Sequence, residues 1–390
     1  MLESNKILKS AKQIDIRFLL TYVRFILTYD DYVRSILWMI NISVMRLVIA
    51  IAVFYLLTGT TLWAQTVKIF PELQGPFIGQ KIPGKTPEIF APSIISTGFD
   101  ERDLTISPDG TEIFYGLSTG RIVTIMQIRY IDGHWTEPVT APFASDNHFF
   151  YFEPCFAPDG RTVFFLTTMP VQGNEPKPGW RYQNIFASDR LDDGSWGEPY
   201  DPGVTINENG FQFYPSLTHD KTIYFCRTDI VTRRNAVYKA DFINGTFTLS
   251  TKLPPPVNTD STSPYNVFVA PDESYLIACI GESNLDYNPG RANYFIFFRN
   301  DDDSWAEPVP FGPEINIRGS TAMSASVSPD GKYLFFAAQV STCKVGDGGK
   351  PLTLSRLIEV ANSPQNGNYD IYWVDASVIG EMKNRCKKEE

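Results

Sequence analysis

Two carboxylates, Asp103 and Glu153, stand at the same place in two similar segments of the chain, five residues before the Pro of a Pro-Asp-Gly sequence. A pair of carboxyl groups that flanks a glycosidic bond can hydrolyse it, one as the acid and the other as base or nucleophile. Glycoside hydrolysis is therefore one chemistry that the sequence allows, with Asp103 and Glu153 as the catalytic pair and Asp100 or Glu101 as additional acids.

Three further segments carry a polar side chain at the same position, so that five segments contribute to one candidate site. The five residues are Asp103, Glu153, Tyr214, Asn266 and Ser324, and they are preceded by Arg102, Phe152, Phe213, Tyr265 and Met323. We predict a binding site formed by Arg102, Asp103, Glu153, Tyr214 and Asn266 and approached past Trp180, Arg181 and Arg291. If this site is wet, exchanging both carboxylates for Ala abolishes binding and leaves the melting temperature nearly unchanged.

Other patterns with catalytic counterparts receive structural interpretations. The string Gly116-Leu117-Ser118-Thr119-Gly120 matches a nucleophile elbow, but it lies between two strand-like runs, whereas the elbow joins a strand to a helix. The acidic runs 192–194 and 301–303 are too short for a calcium loop and predict hairpin turns. The chain has 3 His and no Cys-x-x-Cys or His-x-x-x-His spacing, so we expect neither a metal site nor a cofactor.

The elements that must position these residues follow from an internal repeat. A turn sequence followed by an apolar, aromatic-rich run occurs at 107–115, 157–165, 218–225, 270–277 and 328–336. In the turn, Pro fixes φ, Asp bonds its own backbone and Gly supplies a positive φ. The β-branched and aromatic residues that follow favour a buried strand.

A third strand follows in each repeat, at 123–131, 184–191, 236–243, 294–299 and 370–375. Four repeats then have a second turn, which carries Trp135, Trp196, Phe247 or Trp305 and precedes an outer strand. Four antiparallel strands in about 55 residues are typical of a propeller blade. We predict an all-β fold, a five-bladed β-propeller of four-stranded antiparallel blades, in which 87–95 pairs with 370–375 and closes the ring.

The Ser-Pro-Asp-Gly units, at 107–110 and 328–331, make the region 87–376 resemble the TolB-like β-propeller repeat family of exported bacterial proteins, Pro-Asp relatives of the WD-repeat propellers. Two turns depart from the pattern, since His219-Asp220-Lys221 and Pro271-Asp272-Glu273 lack Gly. Relatives often have six blades, which is the alternative to five. The resemblance implies a binding or scaffold module, and because the superfamily also holds sugar-acting enzymes, a carbohydrate-active enzyme is the alternative function.

The first 64 residues differ in character from the rest. An apolar run at 47–57 follows Arg46 and precedes a polar stretch that ends at Ala64, a pattern that predicts a signal peptide cleaved after Ala64, with Met45 as the true start. A membrane anchor at 36–57 is the alternative, although Arg46 inside it costs about 2.5–3.5 kcal/mol. We therefore expect an exported protein, periplasmic or secreted, divided into an extension with signal peptide or anchor (1–64), a lead-in (65–86), the propeller (87–376) and a charged tail (377–390).

Composition narrows the class of partner. The chain has 34 basic and 44 acidic residues and a formal net charge of −10, which opposes the basic surface that nucleic-acid binding needs. We expect a protein or glycan ligand, no nucleic acid, and a monomer. Cys343 and Cys386 lie in polar surroundings where they could pair, whereas Cys155, Cys226 and Cys279 lie in apolar runs typical of buried thiols.

Overall fold

The computed structural model describes residues 70–208, 211–283, 285–342 and 353–389. The chain divides into two compact units, Met1–Phe70 and Pro71–Glu390, and the elements described below belong to the second. The expected signal peptide, the Met45 start and the alternative anchor at 36–57 lie outside the described residues, as do Cys343 and the side chain of Cys386. In the described part of the chain, no helix is both long and apolar enough to cross a bilayer.

Antiparallel sheets in a ring form a five-bladed β-propeller. Strand β1 (Glu88–Ile89) precedes the first blade. The first blade contains β2 (Asp100–Ile106), β3 (Glu112–Ser118), β4 (Val123–Ile131), β5 (His134–Trp135) and β6 (Val139–Thr140). The second contains β7 (Tyr151–Phe156), β8 (Thr162–Thr167) and β9 (Asn184–Asp189), with a bridge from Ala187 to Tyr200 at its outer edge.

The remaining blades repeat this order. The third contains β10 (Gln212–Leu217), β11 (Ile223–Thr228), β12 (Asn235–Ala240), a small hairpin of β13 (Phe242–Ile243) and β14 (Thr246–Phe247), and β15 (Thr251–Lys252). The fourth contains β16 (Pro264–Val269), β17 (Tyr275–Ser283), β18 (Arg291–Phe298) and β19 (Val309–Pro310). The fifth contains β20 (Ala325–Val327), β21 (Tyr333–Ser341) and β22 (Asn366–Asp375), with the helices α1 (Leu354–Ala361) and α2 (Ser377–Glu389) beside it.

The ring is closed by the first strand of the propeller. Strand β1 pairs antiparallel with β22, with Glu88 opposite Trp373 and Ile89 opposite Tyr372, so the predicted closure is confirmed. The next residue, Phe90, is fully buried and its ring lies 5.0 Å from that of Trp373. Strands β2, β7, β10, β16 and β20 are the innermost strands, and each contacts its neighbours around the ring, β20 against β2 included. The pairing covers part of the outer edge of β22.

The core lies between successive blades, as the turn aromatics predict. Trp135, Trp196 and Trp305 are all buried, and each belongs to a cluster shared with the preceding blade. The indole nitrogen of Trp196 donates to Glu112 Oε1 in the first blade at 3.1 Å, and Arg190 pairs with the same carboxylate. These aromatic residues are equivalent inter-blade contacts, as expected.

Two segments differ from the expectation. The charged C-terminal segment contains a helix, α2, because Ile379 and Met382 share one face and bury it against the fifth blade. The stretch 339–368 lies between the predicted second and third strands of the last repeat, where the repeat pattern predicts a loop. It contains α1, and the paired strands β21 and β22 extend into it at both ends.

The acidic runs are turns, as expected. Asp193 Oδ1 accepts hydrogen bonds from the backbone N–H and the hydroxyl of Ser195, and Asp302 does the same for Ser304. Ser118, the serine of the elbow-like string, accepts a bond from the Gly120 N–H within a turn. Cys155, Cys226 and Cys279 are free thiols.

Candidate functional site

The aligned polar position has an unusual backbone conformation in four blades. Asp103, Glu153, Tyr214 and Asn266 all have a left-handed backbone, with φ of 58°, 56°, 55° and 49°. Each lies at a register shift between the innermost strand and its neighbour, which makes it the bulged residue of that strand. Holding non-glycine residues in this region costs of order 1–3 kcal/mol each. The repeat therefore places one strained residue in each of four blades at the central channel.

The side chains at this position are buried, which corrects the expectation of a wet and exposed set. All five, with Ser324 as the member from the fifth blade, are between 3% and 6% exposed. They join one blade to another: Ser324 Oγ accepts the Asp103 N–H at 3.0 Å, and Glu153 Oε2 accepts the Tyr214 N–H at 2.7 Å. Asn266 Nδ2 donates to the carbonyl of Met323. Their polarity satisfies the backbone groups that the bulges leave unpaired.

Tyr214 divides the channel. Its hydroxyl donates to the Ala325 carbonyl at 2.9 Å and accepts the Ala325 N–H at 3.2 Å, so the side chain reaches from the third blade to the fifth. Below it lies a cavity of about 60 Å³ that also borders Asp103, Glu153 and the inner-strand residues Ser216 and Ser326. Arg102 does not line this cavity, and we use "cup" for the solvent-accessible space beside the Arg102 guanidinium.

Arg102 lies at the bottom of this cup. Its Nε is 3.2 Å from Asp103 Oδ2, and its guanidinium carbon lies 4.1 Å from the centre of the Phe152 ring. The side chain is 15% exposed. Among the described residues, no hydrogen bond engages the two terminal nitrogens, and neither is fully enclosed by protein, so solvent reaches both. We use "mouth" for Arg102, Phe152, Trp180, Tyr265 and Tyr369 around this point.

Glu153 and Asp103, the two acids beside Arg102, are buried, and burial changes their pKa values. Burial, assisted by repulsion from Asp103, raises the pKa of Glu153 to about 8, although Arg102 and the Tyr214 N–H lower it. Burial also raises the pKa of Asp103, although Arg102 opposes the shift. Ser324 and the backbone N–H of Glu153 also lie near the Asp103 carboxyl group, and both lower its pKa. Arg102 is therefore the cation of this group, and Asp103 is its ion-pair partner.

The predicted approach residues stand at different distances from this centre. Trp180 is 42% exposed and stacks on Phe152, 6.2 Å between ring centres with 16° between the planes, and it also contacts Phe150. Arg181 follows it and is exposed. Arg291 is exposed at the start of β18 and acts electrostatically on Tyr369, as Arg102 does. Trp180 and Arg102 thus both contact the ring of Phe152. Arg291 and Arg102 both act electrostatically on Tyr369.

The two additional acids, Asp100 and Glu101, are both held by hydrogen bonds from the protein. Glu101 is fully buried, its carboxylate accepts the N–H and hydroxyl of Thr97, and burial raises its pKa to about 8. Asp100 Oδ1 accepts the Tyr369 N–H at 3.0 Å. Asp100 therefore joins the first blade to the last, whereas Glu101 is bonded to Thr97 in the segment that precedes β2.

The site predicted from the sequence includes Arg102 and Trp180 of the mouth, but it does not include Phe152, Tyr265 or Tyr369. Phe152 and Tyr265 stand one residue before the aligned polar position, so the alignment of the repeats could have identified them. Tyr369 comes from the third strand of the fifth blade, and nothing in its repeat position marks it. Its pKa is raised to about 12, chiefly by burial. Within the described residues, no cluster of three His, Cys, Asp or Glu side chains could hold a metal ion.

No family model matches the chain, and no curated protein matches it. Solved structures similar to it include a putative TolB from Agrobacterium tumefaciens, with a TM-score of 0.38, 16% identity, and coverage of 61% of this chain and 69% of that one. TolB from Acinetobacter baumannii has a TM-score of 0.37 and 14% identity and covers 71% and 57%. An N-acetylgalactosamine deacetylase from F. plautii, solved with blood group B trisaccharide, has a TM-score of 0.42 and 13% identity and covers 79% and 96%.

The chain spans little more than half of the Acinetobacter TolB. The blade count rests on the strand pairing of the chain itself. The protein is a five-bladed β-propeller with TolB proteins among its structural neighbours.

Proposed function

We propose that the protein is an exported binding module that holds its ligand in the mouth and under the long loops of that face. The observation that carries this proposal is the guanidinium of Arg102, which is fixed by Asp103 and Phe152 while solvent reaches its unpaired terminal nitrogens. A largely buried, oriented side chain whose hydrogen-bond donors have no acceptor in the protein is typical of ligand sites. Because Tyr214 closes the channel below, a ligand enters from one face and does not pass through.

Hydrolysis by Asp103 and Glu153, the alternative function, receives less support from this geometry. Two catalytic carboxyl groups must flank a bond of the substrate. Here the Asp103 side chain is almost fully enclosed and is paired with Arg102, and Glu153 is engaged by a backbone N–H. A ligand in the cup therefore meets Arg102 before either acid, which favours binding over hydrolysis.

Export is part of the proposal and rests on the sequence alone, on the apolar run 47–57 between Arg46 and Ala64. Sequencing the N-terminus of the protein recovered from cells tests it. A chain that begins at Gln65 supports cleavage. A chain that begins at Met1 or Met45 contradicts cleavage and supports the anchor.

A screen of glycans and peptidoglycan fragments against the purified protein tests ligand binding. Trp180→Ala removes an exposed platform of the mouth, and we expect it to weaken any genuine ligand at least tenfold. Ile243→Ala is the matched control, because Ile243 is a similarly exposed apolar side chain in the β13–β14 turn. If both variants bind like the parent protein, the recognition surface lies elsewhere and the proposal is wrong.

A further inference from the structure

The arrangement of Arg102 specifies the chemistry of the group that it can accept. Its Nε faces Asp103 Oδ2, which leaves the far edge of the guanidinium with two nitrogens in contact with solvent. The parallel N–H groups of that edge match the two oxygens of a carboxylate. We propose that the ligand of the mouth is an acidic saccharide, with its carboxylate on the far edge of Arg102 and its ring against Trp180. This inference rests on the proposed function.

The local charge suits an anion although the whole chain is acidic. The formal net charge is −10, so an anion needs a local positive site. Arg102 provides it, and the exposed Arg181 and Arg291 lie on the approach. Behind Arg102, burial keeps Glu153 protonated up to a pKa of about 8, so this acid does not cancel the guanidinium charge near neutral pH.

The surroundings of Arg102 suit a ring with one apolar face and polar edges. Trp180 lies over Phe152, whose ring the Arg102 guanidinium also covers, so the indole and the guanidinium belong to one continuous stack. Tyr369 lies within electrostatic range of Arg102, and its hydroxyl makes no hydrogen bond to the described residues. A sugar ring can place its C–H face on the indole and its hydroxyl groups toward this phenol.

The direct test compares a tetrasaccharide of hexuronic acid with its fully methyl-esterified form, by calorimetry on the purified protein. The two probes have the same rings and differ in charge. We expect the ester to bind at least tenfold more weakly. Arg102→Gln should remove this preference for the acid, and Arg102→Lys, which keeps the charge without the fork, should retain only part of it. Trp180→Ala should weaken both probes.

Arg299→Gln is the matched control. Arg299 also has its Nε toward a carboxylate, 3.7 Å from Asp303, and lies 4.7 Å from the centre of the Trp305 ring, but in the fourth blade and away from the mouth. Its exchange should leave both affinities unchanged. Melting curves of each variant separate lost binding from lost folding, and Arg102→Lys serves as the test if Arg102→Gln does not fold.

Five results would overturn the inference. Equal affinity for the acid and the ester would show that Arg102 does not recognise a carboxylate. A preference for the acid that remains in Arg102→Gln would show the same. If a short peptide binds more tightly through its free C-terminal carboxylate, the ligand is a peptide and not a saccharide. If the uronic acid fails while a neutral glycan binds in a Trp180-dependent manner, the inference falls and the proposed function stands. If no probe depends on Trp180, both fall.

Discussion

Glu153 combines three properties in one residue: a left-handed backbone, a buried carboxylate and a hydrogen bond to the next blade. Its neighbour in the ring, Asp103, has the same backbone and pairs with Arg102. In the sequence both residues are polar and occupy the same position of the repeat. This alignment predicts that they lie close together in the structure, but it does not predict whether they are exposed to water. Their burial could not be predicted, because each backbone partner belongs to another blade, far away in the chain.

Glu153→Gln should change the pH dependence of stability. The folded protein holds the Glu153 proton up to a pKa of about 8, whereas an ordinary glutamate releases it near 4.5. Unfolding therefore releases a proton between these values, and the free energy of unfolding falls as pH rises through this window, by up to about 1.4 kcal/mol per pH unit. Denaturant unfolding from pH 4.5 to 8 should show a shallower decline in Glu153→Gln, which keeps an oxygen for the Tyr214 N–H.

The exposed Glu137→Gln is the control for that experiment and should leave the slope as it is in the parent protein. If Glu153→Gln has the parental slope, then Glu153 is ionised in the folded protein and the account of its burial fails.

The combined change Asp103→Ala and Glu153→Ala should destabilise the protein, contrary to the expectation from sequence. It leaves Arg102 without its ion-pair partner and the Tyr214 N–H without its acceptor. Removing one partner from a buried pair typically costs about 3–5 kcal/mol. Thermal unfolding measures the loss. A melting temperature within a degree of the parent value would mean that the carboxylates make no structural contribution, as an exposed site would predict.

At the scale of elements, the periodic strands and turns were predictable and the bulges were not. The apolar runs and the Pro-Asp turns act locally, so the sequence places β3, β8, β11 and β21 closely. A left-handed bulge normally calls for Gly or Asn. Asp is tolerated there as well, so Asp103 and Asn266 fit this rule, whereas Glu153 and Tyr214 do not. Cross-blade hydrogen bonds stabilise these bulges, so local preference could not reveal them.

Gly116→Ala should disturb the mouth through the neighbouring strand. A Cβ at Gly116 would lie 2.4 Å from Phe152 Cδ1 and 3.1 Å from Asp103 Oδ2. Phe152 is buried beneath Arg102 and Trp180 and cannot move away without shifting them. We expect a loss of about 1–3 kcal/mol in the free energy of unfolding, together with weaker ligand binding.

Gly281→Ala is the control, since a Cβ there meets nothing within 4 Å and Gly281 does not have a positive φ. The measurement is the free energy of unfolding in denaturant, compared between Gly116→Ala and Gly281→Ala. Equal stability would show that the close approach at Gly116 is relieved without cost.

At the scale of the whole molecule, one short strand near the start of the propeller completes the last blade. Strand β1 contributes only two paired residues, yet Phe90 behind it fills a cluster with Phe335 and Trp373. The closure was predictable because the last repeat lacks an outer strand. The helices α1 and α2 were not, because neither belongs to the repeat.

A chain that begins at residue 96 should aggregate or fold poorly, because it exposes the edge of β22 and the apolar side of the fifth blade. Phe90→Ala is the milder test and should cost about 3–5 kcal/mol, as for other buried aromatic residues. Size-exclusion chromatography and thermal unfolding report the two outcomes. A truncated monomer with the parental melting temperature would contradict closure by β1.

The central claim is that one face of the propeller, around Arg102, is the recognition surface. Hydrogen–deuterium exchange with and without the tightest glycan from the screen tests it most directly. We predict slower exchange in 168–182 and 366–370, which surround the mouth, and unchanged exchange in the turns 107–112 and 328–332 on the opposite face. Protection confined to those turns, or protection of neither face by a glycan that binds, would contradict the account.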